Sequence, residues 1–576
     1  MTRDQKTPGF DTDVLIVGGG PIGLTTAIAL RHHGIDCTVL EQRTKTRDYS
    51  RANNLWARPQ ELLAGIGLRD VLAEKAYPVR KINFFMKGTP APTTRIDEVD
   101  SAYPQVLYSG QDVIESVMLD ELSARGGRLK RGQTVKTVGQ DDDGVTVTME
   151  TEDGQTTEMR ARYCVAADGA QSSIRGQIGL DFPLERFEGR MNRQGDAKLS
   201  WRRSTEPDQL WFFYYDRGFC GIMPVWGGYH RLFFLSDDSG LPDRDPTLDE
   251  LQAIAREVTR DDTLTLSDPI WLTHSRFQHG HAARYGHGRV LLAGDAGHLS
   301  LPIGGQGMNS GLHDAVGLAW RLAMTLRGTA TPVVLDSYIE ERATEHARLD
   351  DQQAKGFRRS VYRGAVSDAV LETALQVVPG VGSLLQGTGD LQQLTVRYPD
   401  SPLNEDRLTR LGGLAARGGA APGDRAPDAE VQHGTATVRL HDLIQNPDGD
   451  TTGWSLLLFD GRDGTSAAAL RDAVGAMRSF ATVHPRLVLA GPRVQGTGAL
   501  VLDDMDGKAH RAYGLDQTPA LLLVRPDGHV AFRAPAGDLR SLVAYCRRIF
   551  GTDRADPSAR PDGPDTAKAP AEPVAI

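Results

Sequence analysis

The stretch from Asp13 to Arg43, DVLIVGGGPIGLTTAIALRHHGIDCTVLEQR, limits the fold more than any other part of the chain. Val14-Leu15-Ile16-Val17 is an apolar run suited to a buried parallel strand. Gly18-x-Gly20-x-x-Gly23 follows, with Pro21 and Ile22 inside it. An Ala-rich apolar stretch then reads as a helix to about His33 and stops at Gly34. A second apolar run, Cys37 to Leu40, ends at Glu41, with Gln42 next. The pattern predicts a βαβ unit. Gly18 permits the tight turn, Gly20 lets a pyrophosphate approach the backbone, and Gly23 lets helix and strand pack closely. The helix N-terminus offers free N–H groups and partial positive charge to that pyrophosphate. Glu41 lies 18 residues beyond Gly23, near the roughly 20 expected of an acid that accepts ribose hydroxyls. The unit predicts a bound dinucleotide and leaves FAD and NAD(P) both open.

The length of 576 residues leads us to expect about three or four domains. A net charge of −10 disfavours a nucleic-acid partner. The four cysteines are widely spaced and form no CxxC, so neither a disulfide framework nor a zinc pattern is expected, and no metal is assigned. No apolar run reaches the roughly 18 residues of a membrane span, and the N-terminus has no signal-peptide core. A cytoplasmic protein with no membrane partner is the expectation.

Further along, Arg51 has the shape to pair with a cofactor phosphate or to stand as a surface charge. Gln111 opens a helix from which a side chain can reach back to a ligand. A strand from Met159 to Ala167 runs into Asp168-Gly169, a second turn able to face an anion or ribose; a tight strand–helix connection needs the same glycine. Residues 180–280 are crowded with Trp, Phe and Tyr and predict an inserted antiparallel sheet, either as core or as the wall of an aromatic pocket. A strand from Arg289 to Ala293 leads into Gly294-Asp295, then Pro302, Gly304, Gly305, Gly307, Met308 and Asn309, then a helix, so backbone N–H groups converge a second time.

Residues 401–429 read as a Gly/Ala/Arg/Pro-rich linker, residues 430–551 as a small separate α/β unit, and 552–576 as a disordered tail. Within the small unit, Leu521 to Ala531 reads as a hairpin with a Pro-Asp-Gly turn. Thr518-Pro519 before a strand resembles the thioredoxin fold, where a cis-proline takes that place. The CxxC is missing, so thiol chemistry is not expected.

Together the Gly18–Gly23 motif with Glu41, Asp168-Gly169, and Gly294-Asp295 with its Gly-rich continuation resemble the class A FAD-dependent aromatic hydroxylases. The C-terminal unit resembles that of the phenol hydroxylase branch, which includes hydroxylases of aromatic polyketides. The resemblance covers about residues 12–550. It implies an α/β chain with a Rossmann-like FAD-binding domain at 11–179 and 281–400. It also implies a substrate-binding β-sheet domain at 180–280 and a thioredoxin-like domain at 430–551. FAD would be held non-covalently, with Glu41 on the adenosine ribose and Asp295 on the ribityl chain. Arg51 and Gln111 would contact the cofactor, as would Asp168-Gly169. The Gly304–Asn309 backbone would meet the isoalloxazine edge, with Pro302 beside it. NAD(P)H would act as a transient co-substrate, and O2 would form a C4a-hydroperoxide that passes oxygen to an electron-rich ring carbon.

The chain departs from the family in three places. Gly297 replaces an alanine, Leu301-Pro302 replaces paired prolines, and Asn53 stands where some simple-phenol hydroxylases have an activating Asp or His. Asn53 is no base at neutral pH, which favours an acidic or already activated substrate; Tyr215 is the alternative hydrogen-bonding group. The alternatives are Baeyer–Villiger insertion or epoxidation on the same scaffold, and a non-catalytic FAD-binding protein. A halogenase is disfavoured by the missing WxWxIP. Whether the C-terminal unit serves a homodimer or stability stays open.

Overall fold

The first strand, Thr12–Val17, is buried and lies at the centre of a parallel array, as its apolar run predicts. Its neighbours are Cys37–Glu41 on one side and Thr156–Ala166 on the other; Arg128–Arg131 and Val290–Leu292 flank these, and all run parallel. Val145–Thr151 and Gln133–Gln140 extend the sheet with antiparallel pairing. The motif strands therefore end on one edge, which is where open α/β sheets bind ligands. Helices Pro21–His32, Gln111–Ala124 and Gln306–Arg327 share one apolar core against this sheet. The computed structural model describes residues 9–46, 52–215, 218–237, 242–301, 303–361, 391–408, 419–444, 453–461, 467–491, 498–516 and 518–551, without the side chains of 188, 190, 303, 356–361 and 467. Arg51, Pro302 and the tail 552–576 lie outside the described residues. So does residues 409–418 of the expected linker.

A second sheet has nine strands among the described residues. Leu184–Ser200, Tyr229–Asp237, Gly218–Val225 and Gln209–Tyr215 are neighbours in antiparallel register, with Thr265–His281 on the far side of Leu184–Ser200. The sheet reaches beyond the expected 180–280. Lys81–Met86 pairs in parallel with Gln209–Tyr215, and His298–Leu299 pairs with Thr265–His281. Strand alternation gives the sheet two faces. Helix Leu248–Thr259, started by a Thr247/Glu250 capping box, covers Phe213, Cys220, Ile222, Leu232 and Phe234. The other face carries Phe84, Phe212, Tyr214, Phe219, Met223, Phe233, Leu235 and Phe277, which pack with Trp56, Leu301 and Leu391.

A third sheet of eight strands is C-terminal. Trp454–Phe459, Val483–Leu489 and Leu500–Asp503 are parallel; Ala520–Val524 and Val530–Pro535 add antiparallel strands on one side, and Glu430–His433 and Ala436–Arg439 on the other. Among the described residues of 401–429, Glu405–Asp406 pairs with Val530–Pro535 and Gly423 donates its N–H to the Val530 carbonyl. Thr518-Pro519 does precede a strand, but no cis peptide bond occurs among the described residues. No helix among them is long and apolar enough to cross a membrane.

Candidate active site

Three strand ends carry the motifs. Gly18 has φ 110, and a Cβ on it would lie 2.1 Å from the Ala167 carbonyl oxygen. A Cβ on Gly23 would lie 1.9 Å from the Gly18 oxygen. Internal packing therefore demands both glycines. Gly20 differs: a Cβ there would meet no protein atom within 4 Å, and it precedes a helix with no side-chain cap and Pro21 in its first turn. A glycine that packing does not require, at an uncapped helix N-terminus, fits an anionic group laid against the backbone. Buried Glu41 stands beside it. Its Oε2 accepts Gly19 N–H at 2.7 Å and its Oε1 accepts the N–H and Nε of Arg43 at 2.8 and 3.1 Å. A shallow depression lined by Gln42, Arg43, Thr44 and Gly132 lies just past it.

Asp168 ends the neighbouring strand. Its Oδ2 accepts the N–H groups of Ser173 and Ile174 at 3.0 and 3.4 Å, while its buried Oδ1 has no partner. Burial pushes its carboxyl above the usual range, against the pull of the hydrogen bonds around it. Gly169, with φ 88, follows it. Arg175 joins this turn to the next motif, donating to the carbonyls of Ala170 at 3.2 Å and Ala296 at 2.9 Å. Exposed Asp295 sits in the single turn Gly294–Ala296.

Behind that turn lies a charged group the sequence reading missed. Buried Asp314 accepts the Gly294 N–H at 2.8 Å, Arg342 Nε at 2.6 Å and pairs with His298 Nε2 at 3.2 Å. Burial raises its carboxyl pKa, but the Arg342 guanidinium and the histidines hold it well below the usual range. A lone acid inside the apolar run Gly311 to Trp320 was the available signal, since a buried charge requires partners. His298, Asp314 and His346 also have the spacing of a metal site. Arg342 donates to Asp314 and lies 2.8 Å from His346 Nε2, so the cation in that cluster is a guanidinium.

The Gly-rich loop has two consecutive left-handed residues, Gly304 (φ 74) and Gly305 (φ 63). Helix Gln306–Arg327 starts directly after Gly305, with no side-chain cap and no acid in its first turn. The loop is tied to the second sheet by Trp56, whose Nε1 donates to the Gly304 oxygen at 2.8 Å. Asn309 uses its side chain internally: Oδ1 accepts Trp56 N–H at 3.0 Å and Nδ2 donates to Asn54 and Gly305 carbonyls at 3.0 and 2.7 Å. Only its backbone, with those of Gly307 and Met308, belongs to the free helix start. Gln111 is likewise engaged, accepting Ala52 N–H at 3.1 Å and donating to Glu115 at 2.8 Å.

Asn53 is buried, with Nδ2 3.9 Å from Met223 Sδ on the aromatic face. Tyr215 lies on the opposite face of the sheet from Asn53. Alternation puts it with Trp211 and Phe213 on the face covered by helix Leu248–Thr259, away from the Gly-rich loop. Tyr214 is the tyrosine on the loop side, 5.1 Å from Phe219.

Strand-end glycines, an acid on the next strand and uncapped helix starts define a dinucleotide-binding protein with an aromatic-walled second sheet. The FAD binding domain family matches residues 11–353, and the C-terminal domain family of aromatic-ring hydroxylases matches 419–553. The 12-dehydrotetracycline 5-monooxygenase/anhydrotetracycline 6-monooxygenase of Streptomyces rimosus subsp. rimosus is 34% identical over 552 residues, covering 94% of this chain and 99% of that one. Rifampicin monooxygenase of Streptomyces venezuelae is 32% identical over 440 residues, covering 75% and 85%. Among solved structures, the OxyS anhydrotetracycline hydroxylase from Streptomyces rimosus matches with a TM-score of 0.70 at 28% identity, over 94% of this chain and 99% of that one. The chain belongs to the FAD-dependent aromatic-ring monooxygenases.

Proposed function

We propose that this protein hydroxylates a phenolic, polycyclic aromatic substrate of polyketide type, consuming O2 and NAD(P)H. The observation that carries the reading is the apolar face of the second sheet, from Phe84 to Phe277, packed toward Leu301 and the Trp56–Gly304 hydrogen bond. A flat aromatic substrate suits such a wall. The tetracycline-type names of the relatives support the same class.

FAD, when bound, would supply the activation of O2, with NAD(P)H as the reductant. The chain supplies binding and orientation. Gly20 and the N–H groups after it would receive the pyrophosphate, Glu41 the adenosine ribose and Asp295 the ribityl chain. Asp168-Gly169 would contact the cofactor beside them. By the family resemblance, the backbone from Gly304 to Asn309 would meet the isoalloxazine edge with Pro302 beside it, and Arg51 and Gln111 would contact the cofactor. The phenyl-lined wall keeps water from the reacting atoms. The Asn53 amide orients a phenol by hydrogen bonding but does not take its proton, so the substrate brings an acidic hydroxyl. The C-terminal unit, with three parallel strands, an antiparallel hairpin and no CxxC, is read as thioredoxin-like and without thiol chemistry.

The test follows NADPH and NADH oxidation by the holoprotein with simple phenols and hydroxyanthraquinones, with peroxide release in parallel. A hydroxyanthraquinone that accelerates oxidation with little peroxide supports the reading. NMR of the product separates ring hydroxylation from oxygen insertion. Stimulation by simple phenols alone, or flavin bound with no stimulation by any aromatic, sinks it.

A further inference from the structure

A Pro-Asp-Gly turn normally lies at the surface. Here the turn after strand Ala520–Val524 is buried: Arg525, Asp527 and His529 are 0%, 4% and 1% exposed. Arg525 Nη1 and Nη2 donate to the two oxygens of Glu341 at 2.6 and 3.2 Å, and Nε and Nη2 donate to Asp527 at 3.0 and 2.6 Å. Glu341 also accepts Arg321 Nη2 and Ser401 Oγ, each at 2.5 Å. Asp527 Oδ2 accepts Trp320 Nε1 at 3.1 Å, and its carbonyl accepts Arg58 Nη2 at 2.6 Å. Buried ions held this way are costly to leave without partners.

One turn of the C-terminal domain thus grips three helices of the other: Ala57–Gly65 through Arg58, Gln306–Arg327 through Trp320 and Arg321, and Val333–Val361 through Glu341. Each helix leads to the motif edge. Ala57 follows Trp56, which is bonded to Gly304. Gln306 follows Gly305. Arg342, next to Glu341, bonds Asp314, which holds Gly294.

We propose that the Arg525–His529 turn is a positioning element of the FAD site, through which the C-terminal domain sets the three helices at the register where Gly294-Asp295, Gly304-Gly305 and the Gln306 helix start meet the cofactor. The residues act through their partners and do not touch FAD.

The test uses the full-length chain and compares Arg525→Met and Asp527→Asn with Arg533→Met. Arg533 is a buried arginine of the same domain, bonded to Asp406 at 2.7 Å and to the Ala420 carbonyl at 3.1 Å, within the C-terminal part. FAD affinity is measured by flavin fluorescence well below each unfolding midpoint, together with the visible flavin spectrum. We expect FAD binding weakened about tenfold in Arg525→Met and about threefold in Asp527→Asn, both with a shifted flavin band, and a change below about twofold in Arg533→Met. Unchanged affinity and spectrum in the first two variants overturn the proposal. So does an equal loss in Arg533→Met, which would mean a general stability effect. If Arg525→Met does not fold, Asp527→Asn, which keeps the side-chain size, carries the comparison.

Discussion

The Oδ2 oxygen of Asp314 accepts the backbone N–H of Gly294 at 2.8 Å, so the turn that presents Asp295 is fixed from behind by a buried carboxylate. Arg342 and two histidines keep that carboxylate ionised. Asp314→Asn leaves the Arg342 guanidinium buried without its counter-charge, and we expect a loss of about 3 kcal/mol. Calorimetry and FAD retention on gel filtration measure the two consequences. The folded pKa of Asp314 is depressed, so its contribution is present above the unfolded carboxylate range and lost as pH falls through and below it. The gap between wild type and variant therefore narrows in acid.

Gly18 and Gly20 separate folding from binding. Gly18→Ala forces a Cβ to 2.1 Å from a backbone oxygen at positive φ and will impair folding. Gly20→Ala meets no protein atom and keeps an extended backbone, so the apoprotein loses under about 1 kcal/mol. Its FAD affinity should nevertheless fall by about tenfold or more, because the new methyl occupies the pyrophosphate approach. Thermal melts of both apoproteins and a flavin titration of Gly20→Ala check this. Normal FAD binding by Gly20→Ala would remove Gly20 from the site.

The tyrosines make opposite predictions. Tyr214→Phe removes a hydroxyl from the loop-side wall and should lower kcat/KM or raise peroxide release by up to about tenfold. Tyr215→Phe lies behind the sheet and should change neither by more than about twofold. Equal effects from both would contradict the assignment of faces.

What was legible in the sequence was local. Gly18, Gly20, Gly23 and Glu41 fall within one βαβ unit, so their spacing alone placed them at its strand and helix ends. The turns that hold Asp168 and Asp295 were legible because each follows an apolar strand and contains glycine. Alternation shows that Tyr214 and Tyr215 point to opposite faces, but which face meets the loop depends on where helix Leu248–Thr259 packs, and that was not legible. Asn309 and Gln111 carry amides suited to a ligand, yet their partners Trp56 and Ala52 come from distant segments. The Arg525–Asp527 turn has surface chemistry in sequence, and only docking against Glu341 and Trp320 buries it.

His510 gives the C-terminal domain a pH dependence of its own. The ring is fully buried, with Nδ1 2.8 Å from Asp504 and Nε2 3.1 Å from Asp460. Burial disfavours the charged ring, but the two carboxylates outweigh it and raise the pKa above its ordinary value. Charge-assisted hydrogen bonds of this kind are worth roughly 1.5–3 kcal/mol each. Because the folded pKa is raised, the stabilisation is complete below the unfolded value of about 6.5 and is lost as pH rises through the folded value. Both aspartates are held below their usual range, so their share disappears only in acid. We therefore expect the unfolding midpoint to be highest on the mildly acidic side of neutrality and to fall in alkali. His510→Gln should lower stability most near pH 6 and flatten the alkaline fall, as read by thermal melts of both proteins between pH 5 and 9. A variant whose melting curve keeps the wild-type alkaline slope would place the titrating group elsewhere.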